Sequence, residues 1–122
     1  MLNSSRLRRA LAVMAMVFAL GACSTEDMIR MAFADRGASP AQQEEAIAVA
    51  HCESTLDPGA ISPGGGNWGL FQINSVHRAR VNQLGFGWDE MLHPWQNAQV
   101  AADIWADQGW RPWSCARRVG LT

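Results

Sequence analysis

The sequence predicts a mainly α-helical domain with long loops and one disulfide. Two stretches, which begin at Pro40 and Pro94, carry apolar residues at helical spacing behind a proline at the first helical position. Between them, residues 54–68 are rich in proline and glycine and show no regular period, which indicates a long loop. Two cysteines at distant positions, Cys52 and Cys115, supply a pair for the disulfide.

The first 22 residues are predicted to be a lipoprotein signal peptide. Arginines give them a basic start, and the apolar run at residues 10–20 is too short to span a bilayer as a mature helix. Small residues then precede Cys23, an arrangement that resembles a bacterial lipobox, in which the cysteine is lipidated and becomes the mature N-terminus. The alternative is a plain secretory signal with a chance cysteine at its end. In both cases the protein is predicted to be exported, either anchored to the membrane through Cys23 or secreted.

Export also bears on the state of the other two cysteines. In an oxidising compartment the simplest state for Cys52 and Cys115 is a disulfide, and two reduced, buried cysteines are the alternative. The bond would close a loop of about 60 residues and stabilise the fold by about 4 kcal/mol through the unfolded state. It would also hold the C-terminal end of the chain beside residue 53.

Charge and histidine spacing argue against nucleic-acid and metal sites. The whole chain has a net charge of −1. Without residues 1–22 it loses three arginines and no acids, which leaves 7 arginines against 11 acids and a net charge of −4. There is no basic stripe that would bind nucleic acid. His51, His77 and His93 share no ligand-like spacing with cysteines or acids, so neither a metal nor another cofactor is predicted.

Residues 23–38 are predicted to be a tether between the anchor and the folded domain, which is placed at residues 39–122. The tether contains a few apolar residues that suggest one or two amphipathic turns. They are Met28, Ile29, Met31, Ala32 and Phe33.

The first helix of the domain is predicted at residues 40–52. Ser39 is its N-cap, Pro40 takes the first helical position, and Gln42 completes a capping box. An apolar stripe at helical spacing is expected to face the core. It consists of Ala46, Val49 and Ala50.

Glu53 stands out because it continues this apolar stripe, three residues after Ala50. A carboxyl group there loses hydration and lies at the negative end of the helix dipole, and both effects favour its protonated form. A glutamate in that state can act as a general acid near neutral pH. The alternative is an ordinary glutamate at a helix end.

The C-terminal half is predicted to contain a short helix at residues 75–83, a turn at residues 85–88 and a longer helix. The longer helix starts at Pro94 and ends at Gly109 as its C-cap. Residues 110–115 return to the disulfide. The core face of the longer helix is expected to hold Ala98, Ala101, Ala102 and Trp105.

The order and spacing of several motifs resemble the lysozyme-like transglycosylase domain. They are Glu53-Ser54, then Asp57-Pro58-Gly59-Ala60-Ile61-Ser62-Pro63, Gly69-Leu70-Phe71-Gln72-Ile73 and Pro94-Trp95-Gln96-Asn97-Ala98. The cysteine arrangement, with one before the glutamate and one after a Gln-Gly-Trp-x-x-Trp segment, is most similar to actinobacterial resuscitation-promoting factors. The resemblance implies a small lysozyme-like domain of the α+β lysozyme superfamily.

Carried over by position, the resemblance implies that Glu53 is the catalytic acid. It also implies that Ser62, Gln72 and Asn74 contact the sugar substrate, while Asn97 is structural. Trp68 is added because a tryptophan face suits stacking on a sugar ring. The implied substrate is the glycan strand of peptidoglycan, cleaved by a monomer.

One substitution bears on the mechanism. Animal-type lysozymes, which share the Gly-x-x-Gln-Ile-Asn-Ser pattern, have an aspartate where this chain has Asn67. An amide cannot serve as the second carboxylate of a retaining glycosidase. A single-acid scheme therefore fits better, with a 1,6-anhydro product; hydrolysis and binding without catalysis are the alternatives. The other acids are predicted to be turn, cap or solvated residues: Asp57, Asp89, Glu90, Asp103 and Asp107.

Overall fold

A computed structural model describes residues 23–122, and the predicted signal peptide lies outside these residues. The chain is mainly helical, as predicted. Five α-helices and one small sheet are described, together with 3₁₀ turns at Ser75–His77 and Trp88–Leu92. The helices are α1 (Thr25–Ala34), α2 (Pro40–Ser54), α3 (Arg78–Gln83), α4 (Pro94–Gln108) and α5 (Ser114–Arg118).

Helix α2 starts as the capping residues predict. The Ser39 hydroxyl accepts a hydrogen bond from the Gln42 backbone N–H, and the Gln42 side chain accepts one from the Ser39 N–H. The helix runs two residues further than predicted, to Ser54, and its C-cap Thr55 has a left-handed backbone. Its predicted apolar stripe, Ala46, Val49 and Ala50, is fully buried. Glu53 therefore lies in the last turn of a helix whose inner face is fixed to the core.

The segment assigned to a tether contains a helix that belongs to the core, so that assignment needs correction. In α1, Ile29 and Phe33 are completely buried. The Phe33 ring lies 5.4 Å from the Phe71 ring, and α1 packs against both α2 and α4. The spacing of the apolar residues alone suggested only one or two turns, because the helices that cover them come from distant parts of the chain.

The long loop after α2 ends in a small antiparallel hairpin that the sequence analysis missed. Strands β1 (Asn67–Trp68) and β2 (Ile73–Asn74) pair Asn67 with Asn74 and Trp68 with Ile73. Strands of two residues are too short to show a hydrophobic period. The hairpin encloses the Gly69-Leu70-Phe71-Gln72 turn.

Helix α4 and the residues after it close the domain. Gly109 is the C-cap of α4 with a positive φ of 65°, as predicted, and the predicted Cys52–Cys115 disulfide is present with its Cα atoms 5.8 Å apart. Of the two acids of α4 predicted to be solvated or cap residues, Asp107 is exposed and pairs with Arg80, whereas Asp103 is partly buried between Arg36 and Arg80. Trp105, predicted for the core, is partly buried against it.

Within residues 23–122, no helix combines the length and the apolar character needed to cross a bilayer.

Candidate active site

A cleft of about 710 Å³, lined by both polar and apolar side chains, opens beside the C-terminal end of α2. This volume lies within the range of sites that bind small molecules or oligomer segments. Glu53 contributes from α2, the hairpin and the 3₁₀ turn form one wall, and the end of α4 with residues 111–114 forms another. The lining residues are Glu53, Asn67, Gln72, Ile73, Asn74, Val76, His77, Ile104, Gln108, Arg111, Pro112, Trp113 and Ser114.

The turn between the two strands is held from the side of α4 by Asn97. This side chain is completely buried. Its Oδ1 accepts from the Phe71 backbone N–H at 3.0 Å, and its Nδ2 donates to the carbonyls of Trp68 at 2.9 Å and Met91 at 2.8 Å. Asn97 thus satisfies three backbone groups that burial would otherwise leave unpaired. This geometry fits the structural role that the sequence analysis gave it.

The same turn is held from the side of α2 and of the C-terminal segment. The buried Ser54 hydroxyl donates to the Leu70 carbonyl at 2.8 Å. The Trp113 indole N–H donates to the Phe71 carbonyl at 2.9 Å. Because Ser54 follows Glu53 directly, the hydroxyl fixes the distance between the candidate acid and the turn. The disulfide in turn fixes Trp113 next to α2.

Burial raises the pKa of the half-buried Glu53 above its usual value. A hydrogen bond from the Cys115 backbone and the positive charge of Arg118 lower the pKa of Glu53, but these two effects are smaller than that of burial. The net direction is upward, which favours the protonated form. The two opposing groups lie in α5, which the disulfide holds against the end of α2.

Among the described residues that line the cleft, Glu53 is the one with a carboxyl group. The position at which a second acid was considered, Asn67, also lines the cleft. Its side chain is bound on both sides: Nδ2 donates to the Ser62 hydroxyl at 3.2 Å, and Oδ1 accepts from the Asn74 Nδ2 at 3.0 Å. Asn67 is therefore part of the hairpin's hydrogen-bond network.

Two of the predicted substrate residues, Gln72 and Asn74, line the cleft. Gln72 has a left-handed backbone with φ of 49°, and its Nε2 donates to the carbonyls of Ala60 at 3.1 Å and Gly69 at 3.0 Å. These bonds leave its Oε1 without a donor among residues 23–122. The Asn74 side chain is exposed and bridges Asn67 and the Val76 backbone N–H.

The other two predicted substrate residues are not among the described residues that line the cleft. The Ser62 hydroxyl accepts from the backbone N–H and the Nδ2 of Asn67, so it supports the cleft wall from behind. The Trp68 indole donates to the Gly65 carbonyl at 3.0 Å, and its ring lies 5.5 Å from that of Trp88. In this arrangement Trp68 packs on another aromatic ring.

Sequence reasoning did not foresee one wall of the cleft. Gln108, Arg111 and Ser114 line it, and although they belong to the segment before Cys115 that was compared with resuscitation-promoting factors, no site role was predicted for them. His77, on the wall formed by the 3₁₀ turn, was not predicted either. The available signal was indirect, since the predicted disulfide already placed the residues before Cys115 beside Glu53. No cluster of three or more histidine, cysteine, aspartate or glutamate side chains suited to a metal ion occurs in residues 23–122.

The fold and the cleft together define a class: a small helical domain whose described residues present one carboxyl group in a cleft of mixed polar and apolar lining. A family model described as a lysozyme-like domain matches residues 30–115, which is more than half of the chain. The protein therefore belongs to the lysozyme-like domain family, and this membership indicates peptidoglycan-lytic activity in the cell envelope. The match begins within α1, ahead of the domain start predicted at residue 39. No curated protein and no solved structure matches the chain.

Proposed function

We propose that this protein cleaves peptidoglycan glycan strands at the β-1,4 bond between N-acetylmuramic acid and N-acetylglucosamine, as a lytic transglycosylase with Glu53 as its single catalytic acid. The observation that carries this proposal is that Glu53, whose pKa is raised by burial, supplies the one carboxyl group among the residues lining the cleft. A retaining glycosidase needs two carboxyl groups close together. At the position where a second carboxyl group was considered, this chain has the side-chain amide of Asn67.

The proposed reaction uses Glu53 twice. The protonated carboxyl donates its proton to the bridging oxygen while the bond from that oxygen to the muramic C1 breaks. Positive charge develops at C1, and the muramic N-acetyl group stabilises it. The Glu53 carboxylate then takes the proton of the sugar's own 6-hydroxyl, whose oxygen bonds to C1 and gives the 1,6-anhydro product. Glu53 ends protonated, as it began. No water is consumed, because the 6-hydroxyl oxygen takes the place of a water molecule at C1.

The residues around Glu53 are proposed to position the sugar rather than to react. Gln72 keeps its Oε1 free to accept a hydrogen bond from a sugar hydroxyl, because its amide nitrogen is already bound to the Ala60 and Gly69 carbonyls. Ser62 acts indirectly by holding Asn67. The domain is proposed to act as a monomer.

The masses of the released muropeptides test this proposal. Digestion of purified sacculi is expected to yield products with 1,6-anhydro ends, each lighter by one water than a product with a reducing end. Reducing ends would assign the hydrolase reaction instead, with water in place of the 6-hydroxyl. Saturable binding to sacculi without any released product would assign a non-catalytic glycan-binding function.

Arg118 is expected to set the alkaline limit of the activity. Its positive charge lowers the pKa of Glu53, so replacing Arg118 with glutamine raises that pKa further. Since the acid works in its protonated form, the alkaline limb of the kcat/KM profile should move to higher pH. The control is Arg117→Gln in the same helix, which is expected to leave the profile unchanged. An unshifted profile for Arg118→Gln would show that this limb does not report Glu53.

For localisation, we propose that residues 1–22 are a signal peptide and that Cys23 carries the lipid anchor. Cys23 is exposed and not disulfide-bonded. The neighbouring Ser24 is already the N-cap of α1, so the folded domain would begin one residue after the lipid. The anchored enzyme would then act close to the membrane surface, without a long tether.

Metabolic labelling with a fatty-acid analogue tests the anchor. The wild-type protein is expected to incorporate the label, and Cys23→Ser is expected to lose it completely, because no other free cysteine is described in residues 23–122. Ser24→Ala serves as the neighbouring control and should keep the label. An unlabelled wild-type protein would instead indicate a plain secretory signal.

A further inference from the structure

The arginines of residues 23–122 fall into two groups. Arg30, Arg36 and Arg80 each pair with an acid on another helix, namely Glu44 for Arg30 and Asp103 for Arg36 and Arg80. The other four have no acidic partner within 4.0 Å among the described residues. They are Arg78, Arg111, Arg117 and Arg118. Arg78 lies over the Trp88 ring at 4.6 Å, whereas Arg111 lines the cleft.

Arg111 is an exposed residue at the cleft, and one hydrogen bond orients its side chain. Its Nε donates to the Gln108 carbonyl at 3.3 Å, and Gln108 itself lines the cleft. The residues on either side of the Arg111-Pro112 segment, Trp110 and Trp113, are buried, so the backbone that carries the guanidinium is held in place. The terminal nitrogens of the guanidinium make no hydrogen bond to the described residues. A planar donor group is therefore presented to whatever occupies the cleft.

Arg111 is also the permanent charge of the cleft. Glu53 is neutral when it is protonated for catalysis, and burial together with Arg80 lowers the pKa of His77, which favours neutral imidazole. Among the described residues that line the cleft, Arg111 then carries the positive charge, although the chain from residue 23 onwards is negative, with 7 arginines against 11 acids. A neutral sugar polymer has no anionic group that this charge could bind. A polymer with carboxylates has such groups, and a guanidinium binds a carboxylate with paired hydrogen bonds.

We propose that Arg111 is a specificity-determining residue that binds a carboxylate on the lactyl-linked substituent of N-acetylmuramic acid. The cleft would thereby distinguish anionic peptidoglycan strands from neutral aminosugar polymers such as chitin. This inference rests on the proposed function, because it takes the peptidoglycan strand as the substrate.

Binding measurements with one polymer in two charge states test the inference. Soluble peptidoglycan strands are used either native or with their carboxylates converted to neutral amides, and binding is measured in a Glu53→Gln background that prevents turnover. The native strand is expected to bind about two- to fivefold more tightly than the amidated strand, as a charge pair with an exposed guanidinium would give. Adding Arg111→Gln should remove this preference, and Arg111→Lys should keep part of it.

The matched control is Arg117→Gln, which removes another arginine that has no acidic partner and is not among the residues lining the cleft. It should retain the full preference. Equal binding of both strands, failure to bind either strand, or a preference that survives Arg111→Gln would overturn the inference. A merely structural role for Arg111 would weaken binding of both strands equally, and that result would also overturn it.

These outcomes remain separate from the fate of the proposed function. If the wild-type protein cleaves strands but Arg111→Gln leaves the preference intact, the role of Arg111 fails and the catalytic proposal stands. If no strand is cleaved but the preference depends on Arg111, the catalytic proposal fails and the recognition of carboxylates stands.

Discussion

Replacing Glu53 with glutamine is expected to lower the rate of glycan-strand cleavage by about 10²- to 10⁴-fold, the usual contribution of a positioned general acid. Glutamine has nearly the same shape but has no acidic proton for the bridging oxygen. No other lining residue in the described part of the chain, residues 23–122, offers a carboxyl group to replace it. Release of soluble muropeptides from sacculi, followed over time, measures the loss.

Glu44→Gln is the matched control for this experiment. Glu44 lies on the same helix but is exposed and pairs with Arg30, away from the cleft. Its replacement should leave the rate of cleavage unchanged. If Glu53→Gln released product as fast as Glu44→Gln, Glu53 would not be the catalyst.

Glu53→Gln is also expected to stabilise the protein at neutral pH. Because burial raises the pKa of Glu53, the folded state holds this proton more tightly than the unfolded state. The free energy of unfolding therefore falls as the pH rises above the usual glutamate value of about 4.3 and through the folded-state pKa. Glu53→Gln removes this loss, so its Tm should exceed the wild-type Tm at neutral pH and match it at acidic pH. Reduced activity in a more stable protein would exclude unfolding as the cause.

Gly69→Ala is expected to abolish the fold or lower the Tm by about 15 °C or more, which corresponds to about 4 kcal/mol in a domain of this size. Gly69 has φ of 79°, and a Cβ there would overlap the Met91 carbonyl oxygen and the Asn97 side-chain nitrogen. Both are completely buried residues whose hydrogen bond to each other holds the turn. The side chain therefore cannot be accommodated by a small shift. Thermal unfolding followed by circular dichroism measures the effect.

Gly65→Ala separates steric overlap from backbone strain. Gly65 has nearly the same φ, 77°, but a Cβ there would meet nothing within 4 Å. Its replacement should cost only the left-handed strain of about 1–2 kcal/mol. If Gly69→Ala and Gly65→Ala had the same Tm, Asn97 would not pack against Gly69 as closely as the structure shows.

Local signals explain which helices were predictable. The capping box and the buried stripe of α2 are both written in adjacent residues, and the structure reproduces them. Helix α1 has an apolar stripe too, but whether Ile29 and Phe33 are buried depends on α4 and on Phe71, which are remote in the sequence. The resemblance of the preceding residues to a lipobox favoured the tether interpretation. The two-residue strands of the hairpin have no period that could have revealed them.

The residues of the candidate site were likewise predictable only where the signal lies in neighbouring residues. Glu53 was found because its position relative to the stripe of α2 is a local property, whereas Arg111 reaches the cleft through a disulfide between residues far apart in the chain. Ser62 and Trp68 were placed at the substrate by resemblance or by residue type. Their hydrogen bonds to Asn67 and Gly65 arise from the fold of the glycine-rich loop, which has no pattern from which to infer them.

The titration of the Glu53 carboxyl group tests the central claim most directly. NMR spectra of protein with isotope-labelled glutamate side chains, recorded across the pH range, give the pKa of each carboxyl group. Glu53 is expected to titrate above the usual glutamate value, and Glu44 below it because of Arg30. If Glu53 titrated together with Glu44 or below it, the cleft would hold an ordinary ionised carboxylate, and the single-acid account would be contradicted.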